Sequence, residues 1–520
     1  MQTGLMSKRT LSIGFLLIVT LAFFLRFYNL GAQSYWQDEI IMVNITTSGF
    51  SEIVDQTTQN ARPPLYVVAS SIWASIFGTS EVATRSLPMI FSVLATAVFF
   101  ILVRDWYDEK TAIIATLFMA LSTFQIHHGQ NHRYYALVVL NATASTLFFF
   151  RAIKNGHWRD FILWILLGTA TFYSHTYGIF LYVAQGIFFI LQFTRYRSAL
   201  VKGLISVGVI VVLALPGIYW RAMEIVAASG GPDAESIAPD WIPAPTIFSP
   251  ILTTARFFVY NLTSDQIVTI IVGAVVFVLT FGYFLLRTGL PSWLQSVRST
   301  LSGIPQSLRH MQPETLLALC WYIIPITLVL AVSFVAGPLY LDRYLIISAP
   351  ALYILVALFL LWLSRIVPLY SSLGALLIML VIALGMYYTE DKAEPWREVA
   401  DFVASESATD DAIIISHRSV ASHPSLLQAF EFYYEGDTPV CDLIESELDD
   451  AEHVESAEKC IGDVDALWYV VVDLENASIT ERIAEIDEFL ATLPTPLTTV
   501  DEQDFNNIRV LHAEPIGDAP

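Results

Sequence analysis

Two carboxylates stand side by side at Asp38-Glu39, inside Ser34-Tyr35-Trp36-Gln37-Asp38-Glu39. Aromatic flanks desolvate such a pair in part, which is the setting of a general base. An isolated Asp-Glu pair is ordinarily a solvated loop start. This one, however, lies between Tyr28-Asn29-Leu30-Gly31 and Arg62-Pro63-Pro64-Leu65-Tyr66. Proline at a helix start loses no needed donor, so the second motif sets a rigid entry to an apolar helix. Arg62 and Tyr66 would then sit at headgroup level, where a phosphate could lie.

His127-His128-Gly129-Gln130-Asn131-His132-Arg133-Tyr134-Tyr135 packs three histidines and an arginine into a very short stretch. A divalent metal is conceivable, with His128 and Asp38 or Glu39 as ligands, yet adjacent histidines share a tetrahedral ion poorly. Arg133 as an anion ligand is the better reading. His175, alone in Ser174-His175-Thr176-Tyr177-Gly178, suits hydrogen-bonded packing more than ligation. In Gly337-Pro338-Leu339-Tyr340-Leu341-Asp342-Arg343-Tyr344, the guanidinium of Arg343 suits a lipid-borne phosphate, with tyrosines shaping the pocket. The plainer alternatives are an arginine snorkelling at a helix end or paired with Asp342.

These residues need elements to hold them, and composition says which. Hydrophobic residues are 55% of 520, charged residues 14%, and mean hydropathy is +0.58. Helices of about 17–25 apolar residues cross about 30 Å of hydrocarbon. Eleven such spans are read, near 11–29, 84–103, 111–127, 135–151, 161–177, 178–194, 203–220, 265–286, 315–335, 344–363 and 371–388. The first is kept as an anchor, since no small-residue cleavage site follows it. Pro63–Phe77 is apolar but short and reads as an interfacial or re-entrant helix. Ser80 can cap the second span, and Glu81 with Arg85 makes an i,i+4 pair.

The loops alternate in charge. Of the 21 basic residues before Glu390, 14 fall on one set of loops; the other seven are Arg26, Arg62, Arg85, Arg133, Arg221, Arg256 and Arg343. Positive loops stay cytoplasmic, which puts the N-terminus inside and the C-terminal tail outside. All the motifs above collect on the outer side. Chemistry is expected to face away from the cytoplasm.

From residue 390 onward the chain carries 32 acids against 6 bases. The expected organisation is a membrane domain over 1–389, with a first outer loop of about 30–83, and an acidic extracytoplasmic α/β domain over 390–520. In the tail, residues 395–403 have helical spacing, 411–416 and 466–472 read as buried strands, and 478–493 suits a helix capped by Ser478. Cys441 and Cys460 could pair in an oxidising compartment or stay free; Cys320 lies in a span as packing. The lack of a basic stripe excludes a nucleic-acid partner. No nucleophile elbow, phosphate loop, zinc or dinucleotide fingerprint occurs in a plausible context.

Taken in order, Arg26-Phe27, Gly31, Trp36-Gln37-Asp38-Glu39, Pro63-Pro64-Leu65-Tyr66, Gly78…Glu81…Arg85, Gly129-Gln130…Arg133…Tyr135-Ala136-Leu137, His175…Tyr177-Gly178, Asp342-Arg343-Tyr344 and Trp396-Arg397 resemble the multi-spanning GT-C glycosyltransferases. The resemblance is to prokaryotic relatives of protein O-mannosyltransferases and of the lipid A aminoarabinose transferase. It implies a polytopic α-helical enzyme in the cell membrane. That enzyme would move a sugar, with inversion, from a polyprenyl-phosphate carrier to an envelope acceptor (protein, lipid or glycan).

By that resemblance Asp38 matches the first-loop aspartate that binds or deprotonates the acceptor, with Glu39 beside it. Arg343 and Arg133 match positions near the donor phosphate. Arg62, Tyr66, Gln130, Tyr135, His175, Tyr340, Asp342 and Tyr344 complete the expected substrate site. Relatives often carry an acid between the positions of Gln130 and Arg133; here Asn131 and His132 stand instead, which leaves a two-carboxylate metal site in doubt. No Trp-Trp-Asp motif occurs, which argues against the oligosaccharyltransferase branch. The physical demand is a base on the incoming hydroxyl and positive charge on the departing phosphate, brought to one pocket.

Two other classes compete. A transporter or flippase of lipid-linked sugars would need charged or broken helices near the midplane and repeated halves, and the spans show neither. A lipid-linked glycan polymerase or ligase is chemically close and stays open.

Overall fold

The computed structural model describes residues 8–59, 64–229, 242–260, 311–364, 368–389, 391–417, 423–444, 455, 458–462, 464–472, 479–492, 495–506 and 508–515. Two compact units emerge. One comprises Met1–Leu30 with Ile45–Glu390, the other Gly31–Asn44 with Asp391–Pro520.

The first unit is helical. Its elements are α1 (Lys8–Phe27), the end of α2 (Gln37–Thr47), α3 (Phe50–Gln59), α4 (Pro64–Phe77), α5 (Glu81–Trp106), α6 (Glu109–Leu121), α7 (Thr123–Gln130), α8 (Tyr135–Asn155), α9 (Trp158–Ser174), α10 (Gly178–Leu191), the turn α11 (Phe193–Tyr196), α12 (Leu200–Ser229), α13 (Ser249–Arg256), α14 (Pro313–Ala336), α15 (Ala349–Leu363) and α16 (Leu369–Thr389). Among the described residues six helical stretches are long and apolar enough to cross a membrane: Glu81–Trp106, Tyr135–Asn155, Phe193–Met223, Pro313–Ala336, Tyr344–Leu363 and Leu369–Thr389. The expected span at 265–286 lies outside the described residues, as do Arg62 and Ser478.

Helix α8 sits between α5 and α9. Its run Ala142-Thr143-Ala144-Ser145-Thr146 is buried, and small side chains let neighbouring backbones approach where no hydrophobic effect drives helices together. By contrast α12 exposes Val201, Leu204, Val212 and Leu215, and α16 exposes Ile378, Val381 and Ile382, faces suited to lipid. Helix α4 forms over the stretch expected to be interfacial, and Ser80 caps α5 by accepting from the Ala83 amide at 3.4 Å.

One expected span, 111–127, is not a single helix. It breaks at Ser122, whose amide closes α6 on the Phe118 carbonyl and whose hydroxyl accepts from the Gln125 amide (3.1 Å) to start α7. A second cause lies on α1. Arg26, with no exposure to solvent, donates to the carbonyls of Met119 and Ala120, both at 3.2 Å. Those are carbonyls that the last turn of α6 leaves without helical partners. Its Nε donates to Ser92 at 2.6 Å, and Gly129 follows in α7, where any Cβ would lie 2.8 Å from Ser92.

The second unit is α/β. A five-stranded sheet runs β2-β1-β3-β5-β4, from β1 (Ala412–His417), β2 (Val440–Ile444), β3 (Leu467–Val472), β4 (Leu497–Phe505) and β5 (Ile508–Pro515). The β1–β2 and β1–β3 pairs are parallel; β3–β5 and β4–β5 are antiparallel. Strand β3 is buried throughout, as expected of a continuous apolar run covered on both faces. Ile413, Ile415, Trp468 and Val470 pack with α17 (Trp396–Glu406) and α18 (His423–Glu431) on one face. Ala412, Ile414, Tyr469 and Val471 meet Ile486, Phe489 and Leu490 of α19 (Ile479–Thr492) on the other. Cys441 and Cys460 are disulfide-bonded, and Cys320 is a buried free thiol.

Residues 31–44 complete this unit. Tyr35, Ile40 and Val43 lie in the same buried cluster as Trp396, Val399 and Val403. Gln33 bonds Asp391 and the Lys392 amide, both at 3.2 Å. Ser34 donates to Glu398 at 2.9 Å, and the Tyr35 amide donates to the Tyr433 hydroxyl at 2.7 Å.

Candidate active site

In the first unit, three chain breaks place the polar groups. The α7–α8 turn presents His132 and Arg133, the α9–α10 turn presents His175 and Tyr177, and the stretch after α14 presents Tyr340 to Tyr344. Gly337 makes the last possible, since it leaves α14 at φ +99°, a region that side chains avoid. The Tyr177 hydroxyl donates to the Leu339 carbonyl at 2.6 Å, which ties the second break to the third.

His175 sits at the centre. Its ring centroid lies 5.0 Å from Tyr177, 5.0 Å from Tyr344, 5.3 Å from Tyr134 and 6.5 Å from Tyr135. Nδ1 accepts from the Tyr177 amide at 3.0 Å, which leaves the other ring nitrogen to carry the proton of the neutral form. Burial drives this imidazole down to about 3, helped by the guanidiniums of Arg221, Arg133 and Arg343. His128, 4.8 Å from the Tyr135 ring, falls to about 3 through burial and then Arg343. His132 falls as far through burial, Arg85 and Arg133. At neutral pH all three imidazoles are uncharged, so the local charge belongs to arginine.

Such an arrangement, arginines around a cage of rings with neutral histidines between, holds an anion and orients it. Arg133 is nearly buried and lies 5.1 Å over the Tyr134 ring. Arg343 lies 5.7 Å over the Tyr344 ring. Arg221, on α12, is a member that the sequence motifs did not single out. The segment 246–260 was missed as well: Tyr260 stacks on His127 with centroids 3.6 Å apart.

Other expected site residues make contacts inside the helical unit. Tyr66 and Ser70 of α4 hold the two ring nitrogens of His132 at 3.0 and 3.2 Å. His132, in the place where an acid was expected, therefore fastens α4 to the Arg133 turn. Gln130 donates to the carbonyls of Arg26 (3.1 Å) and Tyr28 (2.7 Å) and accepts from the Tyr387 hydroxyl (2.7 Å). Asp342 is paired with Arg256 at 2.5 Å, and Tyr340 meets Thr253 at 2.9 Å.

Asp38 and Glu39 open α2 in the second unit. Glu39 is buried, and its carboxylate accepts from the Trp36 amide at 3.4 Å, the reach-back of a capping box. Asp38, one position earlier, is half-buried. Glu394 brings a third carboxyl within electrostatic reach of this pair. Burial raises its pKa, and the charges of Asp38 and Glu39 raise it further. Among the described residues no three His, Cys, Asp or Glu side chains are placed to hold a metal.

Residues 61–220 match the family described as dolichyl-phosphate-mannose-protein mannosyltransferase. No curated protein sequence matches the chain. In fold it is similar to apo ArnT from Cupriavidus metallidurans, at 14% identity and TM-score 0.57, covering 96% of this chain and 97% of that one. The same enzyme bound to undecaprenyl phosphate gives 13% identity and TM-score 0.58, over 97% and 99% of the two chains. The archaeal oligosaccharyltransferase AglB from Archaeoglobus fulgidus, in complex with an inhibitory peptide and a dolichol-phosphate, gives 12% identity and TM-score 0.52, over 99% and 75%.

Proposed function

We propose that this chain, a glycosyltransferase of the GT-C type by its family match and its fold, moves a sugar from a polyprenyl-phosphate carrier to an acceptor on the extracytoplasmic side. The observation that carries the reading is the cage of four tyrosine rings around His175, two of which carry the guanidiniums of Arg133 and Arg343, with burial and nearby arginine charge keeping the imidazole neutral. Similar folds solved with undecaprenyl phosphate and with dolichol-phosphate support the choice of carrier. The sidedness rests on the bias of basic loops, 14 residues against seven. The Cys441–Cys460 bond adds to it, because disulfides persist in oxidising compartments.

The chemistry is a displacement at the anomeric carbon. Asp38 takes the proton of the acceptor hydroxyl as its oxygen attacks from the face opposite the phosphate. The bond from carbon to phosphate oxygen breaks, and its electron pair leaves with the phosphate. Charge grows on the leaving group, and guanidiniums already in place stabilise it without reorganising. Neutral imidazoles add no competing cation, and the tyrosine rings exclude water.

The test uses membranes carrying the protein and a polyprenyl-phosphate sugar. Free polyprenyl phosphate should accumulate with acceptor, as a transporter would not cause. Asp38→Asn should lower that release about 100-fold or more while inserting normally, the scale of a lost general base. Full activity of that variant would refute the assignment.

A further inference from the structure

A carboxylate next in sequence to a phosphate-binding arginine works against it. Asp342 could offer Arg343 an internal anion and repel the ligand's own charge. The fold gives that carboxylate other partners. Asp342 Oδ2 lies 2.5 Å from Nη1 of Arg256, and Oδ1 accepts from the Thr253 hydroxyl. Thr253 and Arg256 are three apart on α13, so one face of a short helix presents both a hydroxyl and a positive charge. The pair is asymmetric: the Asp342 side chain is 15% exposed and that of Arg256 49%.

Helix α13 is itself fastened. The Thr254 hydroxyl meets that of Tyr322 at 2.5 Å. The Phe257 carbonyl accepts from Ser122 at 2.8 Å and from Tyr353 at 2.5 Å. The Tyr260 amide donates to Thr123 at 2.7 Å. Arg256 is therefore delivered to Asp342 from the anchored C-terminal end of a helix, and the contact does not depend on a loose surface loop.

We infer that Arg256 is a positioning residue for the donor phosphate: by neutralising Asp342 it keeps the charge of Arg343 directed at the ligand. This rests on the reading that Arg343 contacts the phosphate. The proposal makes Asp342 harmful once Arg256 is gone, which a purely structural salt bridge would not do.

The experiment titrates a polyprenyl phosphate into the purified full-length protein. Arg256→Met should weaken binding about tenfold, the effect of one charge contact. Arg256→Lys should stay within about threefold of the native protein, because it keeps the cation. Adding Asp342→Asn to Arg256→Met should recover most of the loss, since the amide keeps an acceptor for Thr253 and drops the charge. Native-like binding by Arg256→Met, or a double variant as weak as that single one, overturns the inference. Should Arg256→Met fail to fold, Arg256→Lys alone and Arg256→Lys with Asp342→Asn decide it. Binding weakened more than tenfold by Lys, and not recovered with Asn, overturns it too. A separate arm, Arg343→Gln, tests the phosphate reading itself: unchanged binding there removes the premise, whatever Arg256 does.

Discussion

Replacing Arg26 by methionine tests how the helical unit holds its candidate site. The side chain is fully buried and makes four hydrogen bonds, to Ser92 at 2.6 Å and to the carbonyls of Ala22, Met119 and Ala120 at 3.2 Å each. Methionine fills similar space and makes none of them. The Ala22 carbonyl has an alternative in α1, but those of Met119 and Ala120 end α6 and would be left buried. Each such group costs about 1–3 kcal/mol. Relief from burying a guanidinium offsets part of this, so the net loss should be about 2–4 kcal/mol. Arg26→Lys should fall between, since an ammonium cannot reach the same fan of acceptors. Thermal unfolding in detergent measures the loss, and phosphate-ligand binding should weaken with it, because α7 begins at the break Arg26 stabilises. A methionine variant as stable as the native protein would refute the role assigned to Arg26.

Two pH dependences follow. His128, His132 and His175 are depressed to about 3 in the folded state, so the unfolded chain takes up their protons first as pH falls below about 6.5. Stability should drop steeply from there toward pH 3, approaching three protons, or about 4 kcal/mol, per pH unit; a flat unfolding profile between pH 6 and 4 would contradict their burial as neutral rings. Glu394 behaves oppositely. Its raised pKa means its favourable contribution is complete below the ordinary carboxylate value of 4.5 and is lost as pH rises through the folded pKa. Glu394→Gln should therefore raise the unfolding temperature at neutral pH and lose that advantage under acid conditions. An equal change at every pH would show that the charge is not the cause.

Much of the helical unit was legible because hydrocarbon imposes one length on every crossing. The spans expected near 84–103, 135–151 and 315–335 lie within α5, α8 and α14. The break at Ser122 was not legible: its causes are a hydroxyl and a guanidinium from α1, 96 positions away. In the tail, the helix at Trp396 and the strands β1 and β3 could be read because each is a short apolar run or has helical spacing. Strand β4 could not, since Leu497–Phe505 is mostly polar and exposed, with a register shift at Thr499 and Asp501.

Arg133, His175 and Arg343 stand in one electrostatic cluster, whereas Tyr66 and Gln130 also make contacts that no local pattern announces. Arg221 and Arg256 carried a signal that spacing alone misses. Every one of the seven bases of the membrane part outside the basic loops is arginine. Fixed, multidentate cations are what buried or phosphate-facing positions require.

The helix-start aspartate belongs to a unit whose two pieces are separated by nearly the whole membrane-embedded chain. Tyr35, Ile40 and Val43 have no sheet to cover until the last strands have been synthesised and paired. A chain cut after residue 420 would keep α17 and the residues just before it, with their bonds to Gln33 and Ser34, and would lose β2 to β5, most of the sheet that backs this cluster. The setting of the proposed base is thus completed by residues far along the chain, and a truncation before β2 should abolish transfer while sparing insertion.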